Sequence, residues 1–205
     1  EGTEAGEADR WNAKRFLSLD LTLGHELAPG MGAYLQEHGV PSNELTFFRE
    51  RRAVGQRWLG LNYYASREHL VTSTGEWAAP EEGETAGLAR VATEYYRRYG
   101  LPLFHAETNR AGARAVAWLE EQWGEVLALR GAGIPVTGFT WSSLTDTIGW
   151  ENGLPLDDNA VHEVGLCDLN REVRPVGDAY AALAKEWGPR LRAEPSHPRS
   201  QAATG

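Results

Sequence analysis

Three short clusters in this chain place polar or aromatic side chains directly after an apolar run: Asn62–Tyr63–Tyr64, His105 to Asn109, and Trp141 to Asp146. Glu107 is the residue whose type says most. It follows Leu101–Pro102–Leu103–Phe104–His105–Ala106, so a strand there would carry its carboxylate to the strand's end, where an ionised oxygen could attack an electrophilic carbon. The alternative for the same residue is a solvated loop acid or an ion pair with Arg110. Tyr64 could donate its phenol proton to that carboxylate, fixing its orientation and keeping its basicity low; taken alone, a tyrosine at a strand end more often packs. Asn62, two residues earlier and on the same side of a strand, could bond a substrate hydroxyl or stabilise a turn. Trp141 and Trp150 could stack on the carbon–hydrogen faces of a sugar ring, although burial in the core is the default for any tryptophan. Asp146 and Glu151 beside them raise the weight of a binding role.

Such groups converge only if several strands end at one place. Trp58 to Tyr64, Leu101 to Ala106 and Ile134 to Trp141 are the three segments with strand composition. Helical periodicity covers Glu84 to Tyr99, closed by Gly100, and Ala111 to Arg130, where Val116, Leu119, Trp123, Val126 and Leu127 keep register. Before the first strand the spacing of Trp11, Phe16, Leu19 and Leu23 predicts one helix over residues 8–23. A Gly- and Pro-rich loop with at most a short helix follows, then a helix over Ser42 to Ala53 capped by Ser42 or Asn43. Thr72 to Glu84 reads as loop, Val164 to Leu169 as a small extra strand, Val176 to Trp187 as the last helix, and residues 193–205 as a disordered tail. Strands alternating with helices call for parallel β/α units joined by right-handed crossovers. A closed (β/α)8 TIM barrel takes about 250 residues, so three strands make an α/β, partial barrel whose edges need partners.

Composition excludes several other classes. With 205 residues and 41% hydrophobic side chains the chain can bury a core, and its net charge of −9 comes without a basic stripe for nucleic acid. A single cysteine, Cys167, rules out an internal disulfide and fits a cytoplasmic protein. His69, His105 and His162 lack neighbours at metal-ligand spacing and are read as packing residues. No apolar run approaches the roughly 20 residues of a membrane span, and the acidic start has no signal-peptide pattern. The chain begins with Glu1 rather than Met, and the motifs favour a fragment of a longer protein over a trimmed one.

Together the three clusters resemble the last three strands of family 1 glycoside hydrolases, the β-glucosidase-like (β/α)8 barrels. Leu59–Gly60–Leu61–Asn62–Tyr63–Tyr64 is similar to the family's sixth-strand motif, Leu103 to Asn109 to the seventh-strand segment bearing the nucleophile, and Gly138 to Asp146 to the eighth-strand Trp-Ser-Leu-Leu-Asp pattern. The likeness runs from about Arg57 to Trp187. It implies that residues 1–192 form the C-terminal half of a barrel, its last three or four β/α units, acting in retaining β-glycosidase hydrolysis of carbohydrate. Glu107 would be the nucleophile, Tyr64 its hydrogen-bond partner, and Asn62, Trp141 and Trp150 sugar contacts. Glu151 would stand in for the family glutamate whose place Gly149 takes. Ala106 and Thr108–Asn109 depart from the family's usual Thr-Glu-Asn-Gly, which marks a divergent branch. No metal or cofactor is implied. The second carboxyl group that retention requires comes, in that family, from an Asn-Glu-Pro segment on the fourth strand. Asn43–Glu44–Leu45 and Ala193–Glu194–Pro195 do not supply it, so the chain alone is expected to be inactive without the missing N-terminal half. The alternatives are a non-catalytic sugar-binding or assembly module on the same barrel, and a glycosyl-transferring relative.

Overall fold

The computed structural model describes residues 2–51, 55–72, 74, 76–80, 85–149 and 159–193. Trp150, Glu151 and the tail from residue 194 lie outside the described residues. In chain order the elements are α1 (Gly2–Lys14), α2 (Leu17–Leu23), α3 (Met31–Glu37), α4 (Ser42–Glu50), β1 (Leu59–Asn62), β2 (Leu70–Val71), β3 (Trp77–Ala78), α5 (Gly87–Tyr99), β4 (Leu103–Glu107), α6 (Ala115–Gly131), β5 (Val136–Phe139), β6 (Thr147–Ile148), β7 (Val161–His162) and α7 (Pro175–Ala193). They fall into two compact units, residues 1–57 with 68–84, and residues 58–67 with 85–205. No described helix is long and apolar enough to cross a membrane.

The first unit holds α1 to α4 and the antiparallel pair β2–β3. The single helix expected over residues 8–23 is two. The Phe16 amide reaches back to the Ala13 carbonyl at 3.2 Å, an i to i−3 bond that tightens the turn, and α2 restarts at Leu17. Apolar spacing alone reads through such a break. Trp11 is 41% exposed and meets Trp77 of β3 edge to face at 4.6 Å, with Lys14 Nζ 4.2 Å from its ring. α4 begins where the sequence places it, but its cap differs. Extended Pro41 precedes the helix and no side chain caps it; the Ser42 hydroxyl instead accepts a bond from Gln36 Nε2 at 3.1 Å. The segment read as loop after Thr72 contains β3, a strand too short for alternation to mark.

The second unit holds the parallel sheet, in the order β1–β4–β5. Leu59 and Leu61 of β1, Leu103 and His105 of β4, and Val136 of β5 are buried, as are Leu88 and Ala92 of α5 and Leu119, Val126 and Leu129 of α6. Period-two burial in the strands and helical spacing in α5 and α6 thus meet in one apolar layer. Gly100 ends α5 at φ +61°. At the other end of α5 the Ala89 amide donates to Glu125 of α6 at 2.5 Å, and a Cβ on Gly87 would stand 2.7 Å from that carboxylate. Across the opposite face of the sheet, Gly60 lets Phe104 and Ala106 close over β1, for an added Cβ would meet them at 2.8 and 3.2 Å. Among the described residues the outer edges of β1 and β5 carry no further strand.

After β5 the chain is knotted by polar contacts. Asp146, 5% exposed, accepts from the Gly165 amide at 2.9 Å and from Arg174 Nη2 at 2.5 Å. The extra strand expected over residues 164–169 is reduced to single bridges of Cys167 to Thr145 and Val173, while Val161–His162 pairs with Thr147–Ile148. Gly165 is packed directly against backbone: a Cβ there would lie 2.3 to 2.4 Å from the backbone of Cys167, Asp146 and Thr145. Gly165→Ala should therefore cost at least about 2 kcal/mol of stability, since backbone cannot give way cheaply. Gly124→Ala, in the exposed middle of α6 with nothing near its Cβ, should gain about 0.5–1 kcal/mol. Urea unfolding midpoints of the two variants check both signs.

Candidate active site

Two residues on β4 have opposite duties. His105 is 2% exposed on the helix-covered face, edge to face with Phe139. Strict alternation would put Glu107 on that same face. The register prevents it: Leu61 pairs with His105 but Asn62 pairs with Glu107, so Ala106 is an extra residue opposite no partner. This bulge resets the alternation and turns Glu107 to the face of Asn62. Thr108 then returns to the helix side, fully buried, where its hydroxyl accepts the Trp118 indole N–H at 2.8 Å.

The carboxylate so delivered is met by two donors from the end of β1. Tyr64 Oη donates to Oε1, and Asn62 Nδ2 donates to Oε2 at 3.1 Å. Tyr63 between them is buried and stacks on Trp118, which leaves Tyr64 and Asn62 on the other side, as alternation requires. The Tyr64 phenol is pushed well above its usual range, chiefly by burial, then by its bond to Glu107 and the negative charge there; the Ser142 side chain and Arg67 oppose the shift. The proton therefore stays on the phenol and remains available to the carboxylate. Arg110 does not pair with Glu107. Its guanidinium lies 5.9 Å from the Trp118 ring centroid.

The end of β5 contributes differently from its sequence reading. Trp141 is 4% exposed and its indole N–H donates to the Val164 carbonyl at 2.8 Å. The side chain that faces Tyr64 is the next one, Ser142. Ser142 is fixed at both backbone groups: its amide donates to the Thr108 carbonyl at 3.0 Å and its carbonyl accepts Asn109 Nδ2 at 2.6 Å. The structure thus brings together Glu107, Tyr64 and Asn62, adds Ser142 and Asn109, and keeps Trp141 behind them. Sequence reasoning passed over the last two because each lies inside a motif dominated by a larger residue. Gln122 was also missed, although a polar residue within the apolar stripe of α6 is a visible signal. It faces His105 Nε2 at 3.3 Å, while His105 Nδ1 lies 3.3 Å from the Leu61 carbonyl. With Nδ1–H donating to Leu61, a neutral imidazole has its lone pair at Nε2. That lone pair suits the Gln122 amide nitrogen, otherwise buried without a partner, rather than its oxygen. Among the described residues no group of His, Cys, Asp or Glu could hold a metal ion.

Neither a family model nor a curated protein matches the chain. Solved structures do. A Thermotoga maritima β-glucosidase in complex with galacto-hydroximolactam is similar at a TM-score of 0.64 and 15% identity, covering 90% of this chain and 47% of that one. The same organism's β-glucosidase with deoxynojirimycin gives a TM-score of 0.62 at 14% identity, covering 82% and 43%. The chain spans less than half the length of these enzymes. At such identity the likeness establishes the fold: an α/β chain with a parallel sheet that corresponds to part of a TIM barrel. In such barrels the C-terminal strand ends carry the reactive groups, and those are the ends where Glu107, Asn62 and Ser142 stand.

Burial holds the His105 imidazole below its ordinary pKa, against smaller opposing effects of Gln122 and the Leu61 carbonyl. A group whose folded pKa is depressed by burial as a cation contributes stability above its unfolded pKa, about 6.5 for histidine. That contribution is lost as pH falls below that value and the unfolded chain takes up the proton first. Unfolding free energy should therefore decline on acidification below about pH 6.5, and His105→Gln should flatten that limb while lowering the plateau. Urea midpoints between pH 5 and 8 read both effects.

Proposed function

We propose that residues 1–192 are the C-terminal half of a retaining β-glycosidase barrel, with Glu107 as the nucleophile. The observation that carries this reading is the Glu107 carboxylate at the C-terminal end of the middle strand of a β/α sheet, held by Tyr64 on one oxygen and Asn62 on the other. Likeness in fold to β-glucosidases supports it. Glu107 attacks the anomeric carbon of a glycoside, and a carboxylic acid from outside this chain protonates the departing oxygen. Water, activated by the conjugate base of that acid, then releases the sugar. The Tyr64 phenol steadies the carboxylate before attack and shifts its hydrogen bond as negative charge leaves Glu107. Asn62, Trp150 and Glu151 are the proposed sugar contacts, with the buried Trp141 behind them as support, and the missing half of the barrel is the proposed partner.

A 2-deoxy-2-fluoro glycoside bearing a good leaving group should form a stable ester on Glu107 in the full-length protein, seen as a mass increment on its peptide. An adduct on another residue, or none with sugar binding intact, would sink the assignment. Glu107→Gln should lower kcat at least about a thousandfold, as loss of a covalent nucleophile does. Tyr64→Phe should lower it roughly tenfold to a hundredfold, the worth of one hydrogen bond to a charged group. Steady-state kinetics on an aryl glycoside distinguishes the two.

A further inference from the structure

The two oxygens of Glu107 are held by unlike donors. Oε1 takes the proton of a half-buried phenol, whereas Oε2 takes an exposed amide N–H from Asn62 at 3.1 Å. The second contact is built into the backbone. The register shift sets Asn62 opposite Glu107, and the Tyr63 amide donates to the Glu107 carbonyl at 2.9 Å, so the amide and the carboxylate leave the sheet side by side. An ionised carboxylate is a stronger acceptor than a sugar hydroxyl, and without substrate the Asn62 N–H is spent on it.

We propose that Asn62 is a positioning residue for Glu107, holding Oε2 as the oxygen that bonds the substrate carbon while Tyr64 keeps Oε1. The bond-forming clause rests on the glycosidase reading; the holding of Oε2 does not. In that step an Oε2 lone pair forms the new C–O bond and the glycosidic C–O bond breaks. Its electron pair goes to the leaving oxygen, which takes a proton from the carboxylic acid supplied outside this chain. Once Oε2 is an ester oxygen it is a poor acceptor, and the Asn62 N–H passes to a neighbouring sugar hydroxyl. The amide is thus exchanged between carboxylate and sugar rather than reserved for the sugar from the start.

The test is a pH titration of the full-length protein, with 15N in asparagine side chains and 13C in glutamate carboxyls. The Asn62 NH2 resonances should move with the ionisation of Glu107 and become flat in Glu107→Gln. Asn62→Ala should displace the Glu107 carboxyl 13C resonance at neutral pH, because the donor to Oε2 has gone. Asn62 resonances blind to pH in the unmodified protein, or an unmoved Glu107 carboxyl resonance in a folded Asn62→Ala variant, overturn the proposal. If Asn62→Ala fails to fold, the comparison of the unmodified protein with Glu107→Gln decides alone. The two readings fail separately: coupling without a fluoro-glycoside ester leaves Asn62 holding Oε2 and removes the nucleophile, and an ester without coupling does the reverse.

Discussion

β4 must serve both faces of the sheet within three residues, and the extra residue at Ala106 is what allows it. His105 closes the layer against α6, where an exposed or charged side chain would leave an unfilled or unpaired site. Glu107 must leave on the opposite face to reach any substrate. A regular strand cannot do both, because residues 105 and 107 share a side. The bulge costs one ladder pairing and turns the carboxylate around. Thr108 regains the helix side and is tied to Trp118, which anchors the strand on the far side of the turn.

The rest of the site follows from where that bulge sits. Asn62 comes opposite Glu107, and Tyr64, one alternation further along, reaches the other oxygen. Asn109, just beyond, clamps the Ser142 carbonyl and so brings the end of β5 to the same place. Three adjacent parallel strands contribute to one cluster, although the residues that meet across strands lie 33 to 45 apart in sequence. The supports are polar and short, and small residues clear the sheet face beneath them: Gly60 lies against Phe104 and Ala106, and a Cβ on Gly138 would already touch Phe104. Among the described residues no further strand pairs with the outer edges of β1 and β5, on either side of this cluster.

The helices α5 and α6, the strands between them and Gly100 as a stop were legible because their stabilisation is the burial of a periodic apolar face. The candidate trio Glu107, Tyr64 and Asn62 was legible for a related reason: each follows an apolar strand, and strand ends in parallel β/α units meet at one rim. Where the reading missed, a non-periodic contact had decided the outcome. The break between α1 and α2 is an i to i−3 bond at Phe16, invisible to apolar spacing that continues across it. Trp141 takes the burial that is the default for a tryptophan rather than the sugar contact implied by the resemblance, because the Val164 carbonyl, 23 residues away, takes its N–H.

The residue types and their order determined by themselves that the chain builds β/α units and that a carboxylate follows the central strand, since hydrophobic period and residue chemistry are local properties. Only the tertiary structure decided which way that carboxylate points and which donors hold it. Strand register is fixed by pairing between segments more than 40 residues apart, and a shift of one residue exchanges the two faces of a strand.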